Sequence, residues 1–472
     1  MIRTDQRIEF IELVEVGPFD HTRIEFPKNA NKELAEVHIF TGGNGCGKTT
    51  LLYALASTFE HPHNNQVLKR FRGKKGQIAH GKFGERYLIG WNLSPSSDYP
   101  QVLYRQEGYA NLAGNNPEWY QLNQKFNNGS TWKDIQFSIL PLAYSGQRLQ
   151  QRTSDNLAIR EIQNSPLENH LGFGTAINPQ LITQWIANVL AKESFALTRD
   201  KNELKAKQLR SSLDRVIQAI RDIAGEEFDF VLNTTTLDVA VNWRGIEQSM
   251  DLLPDGLKSI VSWLTDVLMR MDRLQWVDDR PVTDQPLILF LDEVDIHLHP
   301  KWQRKILPVI QKLFRNAQIF VSTHSPFVVG SVQDAWVYKL DTSGEVTHAQ
   351  SQLVPHVAEE KATYNSTSIS SIPLQQVQAI PSGAGTSYEV LLEEIFEVSE
   401  HYDVDTQKML SLMKQERDLL LSSPNSSPEK FIELASTLAA RSEELDGIVA
   451  LELRQLAKHG RRVVLAVPTS TN

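Results

Sequence analysis

Three polar segments in this chain could act together on a phosphate. Gly42-Gly43-Asn44-Gly45-Cys46-Gly47-Lys48-Thr49-Thr50 has the form G-x-x-x-x-G-K-T. Its glycines let backbone N–H groups converge on phosphate oxygens, and a helix beginning there turns its positive end to the same anion. Lys48 reaches for β- and γ-phosphates, and the Thr49 hydroxyl ligates magnesium. Much later, the apolar run Pro286 to Leu291 ends in Asp292-Glu293. Two carboxylates at the end of a buried strand are costly without a cation. Asp292 would hold the metal, and Glu293 would orient and polarise an attacking water. The third segment, Ser322-Thr323-His324-Ser325-Pro326, closes another apolar run and aims His324 at the terminal phosphate; a structural turn histidine is the rival reading.

These residues need strands and helices to present them. Val37 to Phe40 reads as the strand before the glycine loop, and Thr49 to Ser57 as the helix after it. Ile8 to Val16 and Thr22 to Phe26 alternate around Gly17-Pro18, as two strands joined by a turn do. Between about residues 60 and 135, loop signals separate short aromatic strands, which predicts a β-rich side layer. In that stretch Lys69, Arg70, Arg72, Lys74 and Lys75 suit either nucleic-acid phosphates or a solvated loop. Ile139 to Ala143 is a further strand, beyond which Gln147 could touch metal or water and Arg148 phosphate, or both could serve the loop alone. Helical spacing runs from Pro179 to Ile223, and strand-like alternation returns at Phe228 to Asn233 and Leu237 to Trp243. Asp255 is placed to cap a helix over Gly256 to Met271. His297 and His299 admit a zinc reading, but Pro300 favours a turn that starts the next helix, Trp302 to Phe314. Residues 341 to 386 read as a linker or irregular wrap. Three amphipathic sets beyond it, from Tyr388, Met409 and Phe431, should pack on the head or on another protein.

Bulk properties exclude several classes. A length of 472 residues suggests about three domains. A formal charge of −9 argues against general nucleic-acid coating, while leaving room for a local basic groove. Cys46 is the only cysteine, so no intramolecular disulfide or cysteine-rich zinc site is expected. Met1 to Asp5 is charged and lacks a signal-peptide core, and no apolar run approaches the roughly 20 residues of a membrane span. A cytoplasmic protein with no membrane contact is expected.

Gly42 to Thr49, Leu289 to Glu293, Asp295 to Pro300 and Thr323 to Pro326, in that order, resemble the heads of ABC-type ATPases in the RecF/SMC/OLD branch. The resemblance implies an α/β fold: a P-loop ATPase head with a β-rich side layer, an inserted helical lobe and a C-terminal helical region. The implied parts are 1–148 and 251–345 for the head, 149–250 for the lobe with its return strands, and 346–472 for the linker and tail. It implies ATP and Mg2+ as cofactors, with Gly42, Asn44, Gly45, Cys46, Gly47, Lys48, Thr49, Thr50 and Gln147 about the nucleotide. Thr49 and Asp292 would hold the metal, Glu293 would be the catalytic glutamate and His324 the switch histidine. Two heads of this family sandwich two ATP molecules, each site completed by a signature loop of the other head. The corresponding segment is Leu252 to Ser259, with Asp255 and Gly256 touching the partner's nucleotide. Pro254 departs from the family pattern where a serine hydroxyl would bond the γ-phosphate, which implies slow turnover. The segment is similar to that of the ATPase subunits of Septu antiphage systems, which implies an HNH nuclease as a separate effector. The alternative is a RecF-like repair ATPase that binds DNA directly.

Overall fold

The computed structural model describes residues 7–59, 77–84, 87–92, 101–102, 105–106, 126, 132–146, 160–233, 238–340, 374–382, 387–396, 402–423, 426–461 and 463. The basic cluster at 69–75, Gln147, Arg148 and most of the expected linker lie outside them. Strands β1 (Ile8–Val16), β2 (Phe19–Glu25) and β3 (Glu36–Gly42) lead into helix α1 (Lys48–Ser57). β4 (Ile78–Phe83), β5 (Tyr87–Asn92) and the two-residue strands β6 (Gln101–Val102), β7 (Arg105–Gln106) and β8 (Gln136–Phe137) precede β9 (Leu140–Ser145). Helices α2 (Pro179–Thr198) and α3 (Glu203–Ala224) follow, then β10 (Phe228–Leu232), β11 (Val239–Trp243), β12 (Ile246–Ser249) and α4 (Asp255–Asp272). Next come β13 (Gln275–Trp276), β14 (Leu287–Asp292), α5 (Pro300–Leu313), β15 (Ala317–Ser322), α6 (Pro326–Val329) and β16 (Trp336–Leu340). β17 (Gln375–Val377), β18 (Ile380–Pro381) and α7 (Tyr388–Glu394) lead to α8 (Val404–Ser422), α9 (Glu429–Ala439) and α10 (Glu443–Lys458).

The central sheet has the order β18-β16-β3-β15-β14-β9, parallel except for β18. Its strands are near-continuous apolar runs because both faces are covered. β14 and β15 are buried at every position, and α1 covers the sheet with Leu51, Leu52 and Leu55. Phe40 and Phe290 stack on Phe320, and Phe26 meets Phe320 edge-on at 4.9 Å. The register pairs Asp292 with Ser145, Leu291 with Val321 and Ser322 with Phe40, so four carboxyl ends finish level. Open α/β sheets place ligands at that edge.

β4 and β5, from the stretch expected as a β-rich layer, join the β1–β2 pair in the antiparallel path β2-β1-β4-β5, with β17 added at its β2 edge. Within it Glu12 lies 2.8 Å from His21 and 3.5 Å from His80. The His80 imidazole, and His21 after it, hold the Glu12 carboxyl at about 2, against an ordinary 4.5. A carboxyl depressed in the folded state stabilises fully above its unfolded value and loses that contribution as pH falls towards the folded one. Glu12→Gln is therefore expected to melt below wild type above about pH 5, and melting curves at falling pH should show the gap closing. A gap that widens in acid contradicts this.

Asn178 caps α2 and Asn202 caps α3, while Gly225 ends α3 in the left-handed region at φ 74°. The two helices pack against each other and against α4, with α3 also against α5. Two of their basic residues have acidic partners: Arg210 bonds Glu193, Asp214 and Asp229, and Lys205 bonds Asp200.

The chain divides into two compact units, 1–391 and 392–472. β17 and β18 fall within the stretch expected as linker, yet they pair with β2 and β16. Contrary to the expectation that the last helices need another surface to pack on, α8, α9 and α10 bury Leu410, Met413, Phe431, Leu438, Val449 and Leu456 against one another. Leu445 lies on α10, a fourth helix beyond the three expected, which starts after the cap at Ser442. Asp403 accepts from the amides of Asp405 and Thr406, which makes it the N-cap of α8.

Candidate nucleotide site

The phosphate loop is shaped by close contacts that only glycine permits. Gly42 has φ 141°, and a side chain there would strike the Leu340 carbonyl oxygen at the end of β16. Gly47 has φ 100°, and an added Cβ would lie 2.6 Å from Pro18 Cγ and 2.7 Å from Phe19 Cζ. The β1–β2 turn thus presses on the start of α1. Thr50 is half-buried there, its Cγ2 facing Gly17. Gly43, Asn44 and Gly45 form the exposed lip of the loop. Cys46 points inwards and is buried, with Sγ 3.5 Å from Lys48 Nζ.

Lys48 donates to the carbonyls of Gly42 at 2.9 Å and Gly43 at 2.8 Å. Its charge is thus satisfied inside the loop and held beside the lip. The Thr49 hydroxyl donates to Asp292 Oδ1 at 3.0 Å, which brings the two expected metal ligands together across the sheet edge. Their separation matches the edge of an octahedron with bonds of about 2.1 Å, the geometry magnesium demands, and both donors are hard oxygens. The residues therefore fit the ion.

β15 lies between β3 and β14 and joins the two halves. Ser322 donates to Asp292 Oδ1 at 2.6 Å and accepts from the Glu293 amide at 2.8 Å. Thr323 donates to Asp295 at 2.6 Å, and Gln303 holds the turn through the carbonyls of Asp295 and Leu298. Sequence reading assigned Ser322 and Thr323 no role. Their only signal was a polar end on an apolar strand, next to His324. His324 is exposed at the rim. Burial of its inner side and the Lys48 charge lower its pKa, against Asp295 and Asp292, so at neutral pH it is an uncharged imidazole. Burial, then Asp292 and Asp295, push the Glu293 carboxyl up, with Lys48 opposing. A raised carboxyl beside a metal acid has the character of a general base. Glu293 sits at φ 52° and His297 at φ 62°, conformations that cost about 1–3 kcal/mol each and gather at functional sites.

His299 Nδ1 accepts from the Lys301 amide and caps α5 with Pro300 at its start, which supports the turn reading over zinc. Asp255 is a correction. Pro254 occupies the cap position of α4 and its carbonyl accepts from the Lys258 amide, while Asp255 is the first helical residue, its carboxylate 3.3 Å from Lys258 Nζ. Proline at that position has the extended backbone a cap needs but no side-chain acceptor. Gly256 is buried, with its Cα against the carbonyl of His297. Its lack of a side chain is thus required within its own chain.

Residues 168–330 match the family model described as "AAA domain, putative AbiEii toxin, Type IV TA system". The chain is 24% identical over 394 residues to "Retron Ec83 probable ATPase" of Escherichia coli, covering 71% of each. It is 21% identical over 328 residues to "Septu protein PtuA" of Bacillus thuringiensis, covering 68% of this chain and 72% of that one. The solved structure of an SMC head bound to the C-winged helix domain of ScpA aligns with TM-score 0.41 and 11% identity, over 71% of this chain and 94% of that one. No helix among the described residues is long and apolar enough to cross a membrane. The level strand ends, the loop that cradles Lys48 and these sequence relatives agree with the resemblance to ABC-type ATPase heads that the motifs carry.

Proposed function

We propose that the chain binds ATP with magnesium, hydrolyses it slowly as one of a pair of heads, and in its ATP-bound assembly controls a separate nuclease in defence against phage. The observation that carries the nucleotide reading is the Thr49–Asp292 contact at 3.0 Å, with Lys48, Glu293 and His324 around it. When ATP arrives, Lys48 exchanges two loop carbonyls for phosphate oxygens, so the lysine is already desolvated and placed. Thr49 and Asp292 would hold magnesium, which supplies charge neutralisation at the phosphates. Glu293 takes the proton of the attacking water, and neutral His324 offers a hydrogen bond at the γ-phosphate. The first turn of α4, from Asp255 onward, would turn the positive end of that helix to the nucleotide of a second copy. Pro254 brings no hydroxyl to that contact, which favours slow turnover. ATP acts by binding the closed pair better than the open one.

The defence role rests on relatives named for retron and Septu systems. The resemblance to Septu ATPase subunits points to an HNH nuclease as the effector. Two measurements test the reading. Lys48→Ala removes a charged donor pair worth about 1.5–3 kcal/mol each, so ATP affinity by calorimetry should fall at least tenfold. Unchanged affinity sinks the nucleotide assignment. Native purification of Glu293→Gln with its neighbouring gene products should recover a nuclease with the ATP-bound assembly. Recovery of a free dimer that binds DNA would favour the repair reading instead.

A further inference from the structure

The turn that carries Glu293 is gripped from two sides. Gly146 follows β9, is buried, and donates its amide to the Asp292 carbonyl at 2.7 Å. A methyl group on it would overlap the Glu293 carbonyl oxygen and lie 3.1 Å from Ile296 Cβ. On the other flank, a methyl group on Gly256 would overlap the His297 carbonyl oxygen and lie 3.2 Å from its carbon. Both partners are backbone, which cannot swing aside as a long side chain does. Both gripped residues, Glu293 and His297, are the non-glycine residues at positive φ in this turn, so their backbone is held where it would not rest unaided. The turn's internal bonds, Ile296 N to Glu293 O at 3.2 Å and Leu298 N to Asp295 O at 3.1 Å, span it only locally.

From this geometry we infer that Gly146 and Gly256 are positioning residues for Glu293. The inference rests on the ATPase reading above. Gly146 stands one residue before Gln147, and Gly256 stands in the first turn of α4. The position of the glutamate is thereby tied to the two segments that border the nucleotide site and the proposed second copy. Gly146 has no contact with substrate in this reading, and Gly256 acts on the glutamate through the His297 carbonyl, separately from any contact its helix start makes with a second copy. Each sets where the Glu293 carboxylate falls, and a displacement of about 1 Å at such a group can cost on the order of a hundredfold in rate.

The test uses the full chain with Gly146→Ala, Gly256→Ala and, as a control in open space on α10, Gly447→Ala. Single-turnover hydrolysis, ATP affinity and amide exchange over residues 293–299 are measured for each. Both test variants are expected to lose roughly ten- to hundredfold in turnover with affinity kept within about threefold, and in a Glu293→Gln background either should cause little further loss. Exchange over the turn should quicken in both, and the control should match wild type. Turnover and exchange unchanged in both variants would overturn the inference, as would a full additional loss when either glycine is replaced in the Glu293→Gln background. If Gly146→Ala fails to fold, Gly256→Ala decides alone. Exchange reads the turn even where wild type does not hydrolyse ATP, so failure of the ATPase reading is distinguishable from failure of this one.

Discussion

Glu293→Gln is expected to lower ATP turnover by about 10²–10⁴-fold, the share a positioned general base contributes, while ATP affinity stays within a few-fold of wild type. The amide keeps the shape of the carboxylate but cannot take a proton. Bound ATP should then persist, and the closed pair with it, so gel filtration with ATP and magnesium should show a larger species for the variant than for wild type. The pH profile carries an independent sign. Burial, Asp292 and Asp295 raise the Glu293 carboxyl, and a base works only when deprotonated. Wild-type turnover should therefore rise through an inflection above the ordinary carboxylate range, and that limb should vanish in the variant. His324, lowered by burial and Lys48, adds no gain of charge near neutrality. A variant that hydrolyses at the wild-type rate would remove Glu293 from the mechanism.

What could be read in the sequence follows from the range of the forces involved. Glycines at φ 141° and φ 100° leave a fixed pattern, because no other residue occupies those positions without strain. Buried strands likewise leave apolar runs, so Leu287 to Asp292 and Ala317 to Ser322 were legible, as was the carboxylate pair at the first one's end. Ser322 was not, since one serine at a strand end looks alike whether it meets Asp292 or water. The cap of α4 misled because Asp255 is a good capping residue by type, and only the backbone tells that Pro254 holds the position. Gly256 was read as a contact for a partner's phosphate, and its close approach to His297 depends on a turn far along the chain. The last helices were judged too short to bury a core singly. Their apolar faces meet one another, a relation no single-helix periodicity contains.

Arg270→Met is expected to destabilise the head by about 3–5 kcal/mol, the cost of breaking a buried ion pair by removing one partner. Burial alone would lower the pKa of this guanidinium, but the Asp266 carboxylate outweighs that and holds it raised. Asp266 Oδ2 accepts from Arg270 at 2.6 Å and from the Tyr144 hydroxyl at 2.7 Å. Arg270 also donates to the carbonyls of Pro166 at 2.6 Å, Glu168 at 2.9 Å and Ala176 at 2.5 Å. One guanidinium thus ties α4 to the segment before α2, and through Asp266 to β9. In the double variant Asp266→Leu/Arg270→Met the stranded carboxylate is gone, so part of the stability should return. The rest should not, because the three carbonyls still lack their donor. Thermal melts of wild type, the single variant and the double variant separate these parts. A single variant within about 1 kcal/mol of wild type would mean that water or rearrangement replaces the guanidinium. Tyr144 lies two residues before Gly146, so loosening the network should also loosen the flank that sets Glu293. Turnover of the Arg270 variant, measured well below its melting temperature, should fall while its ATP affinity holds.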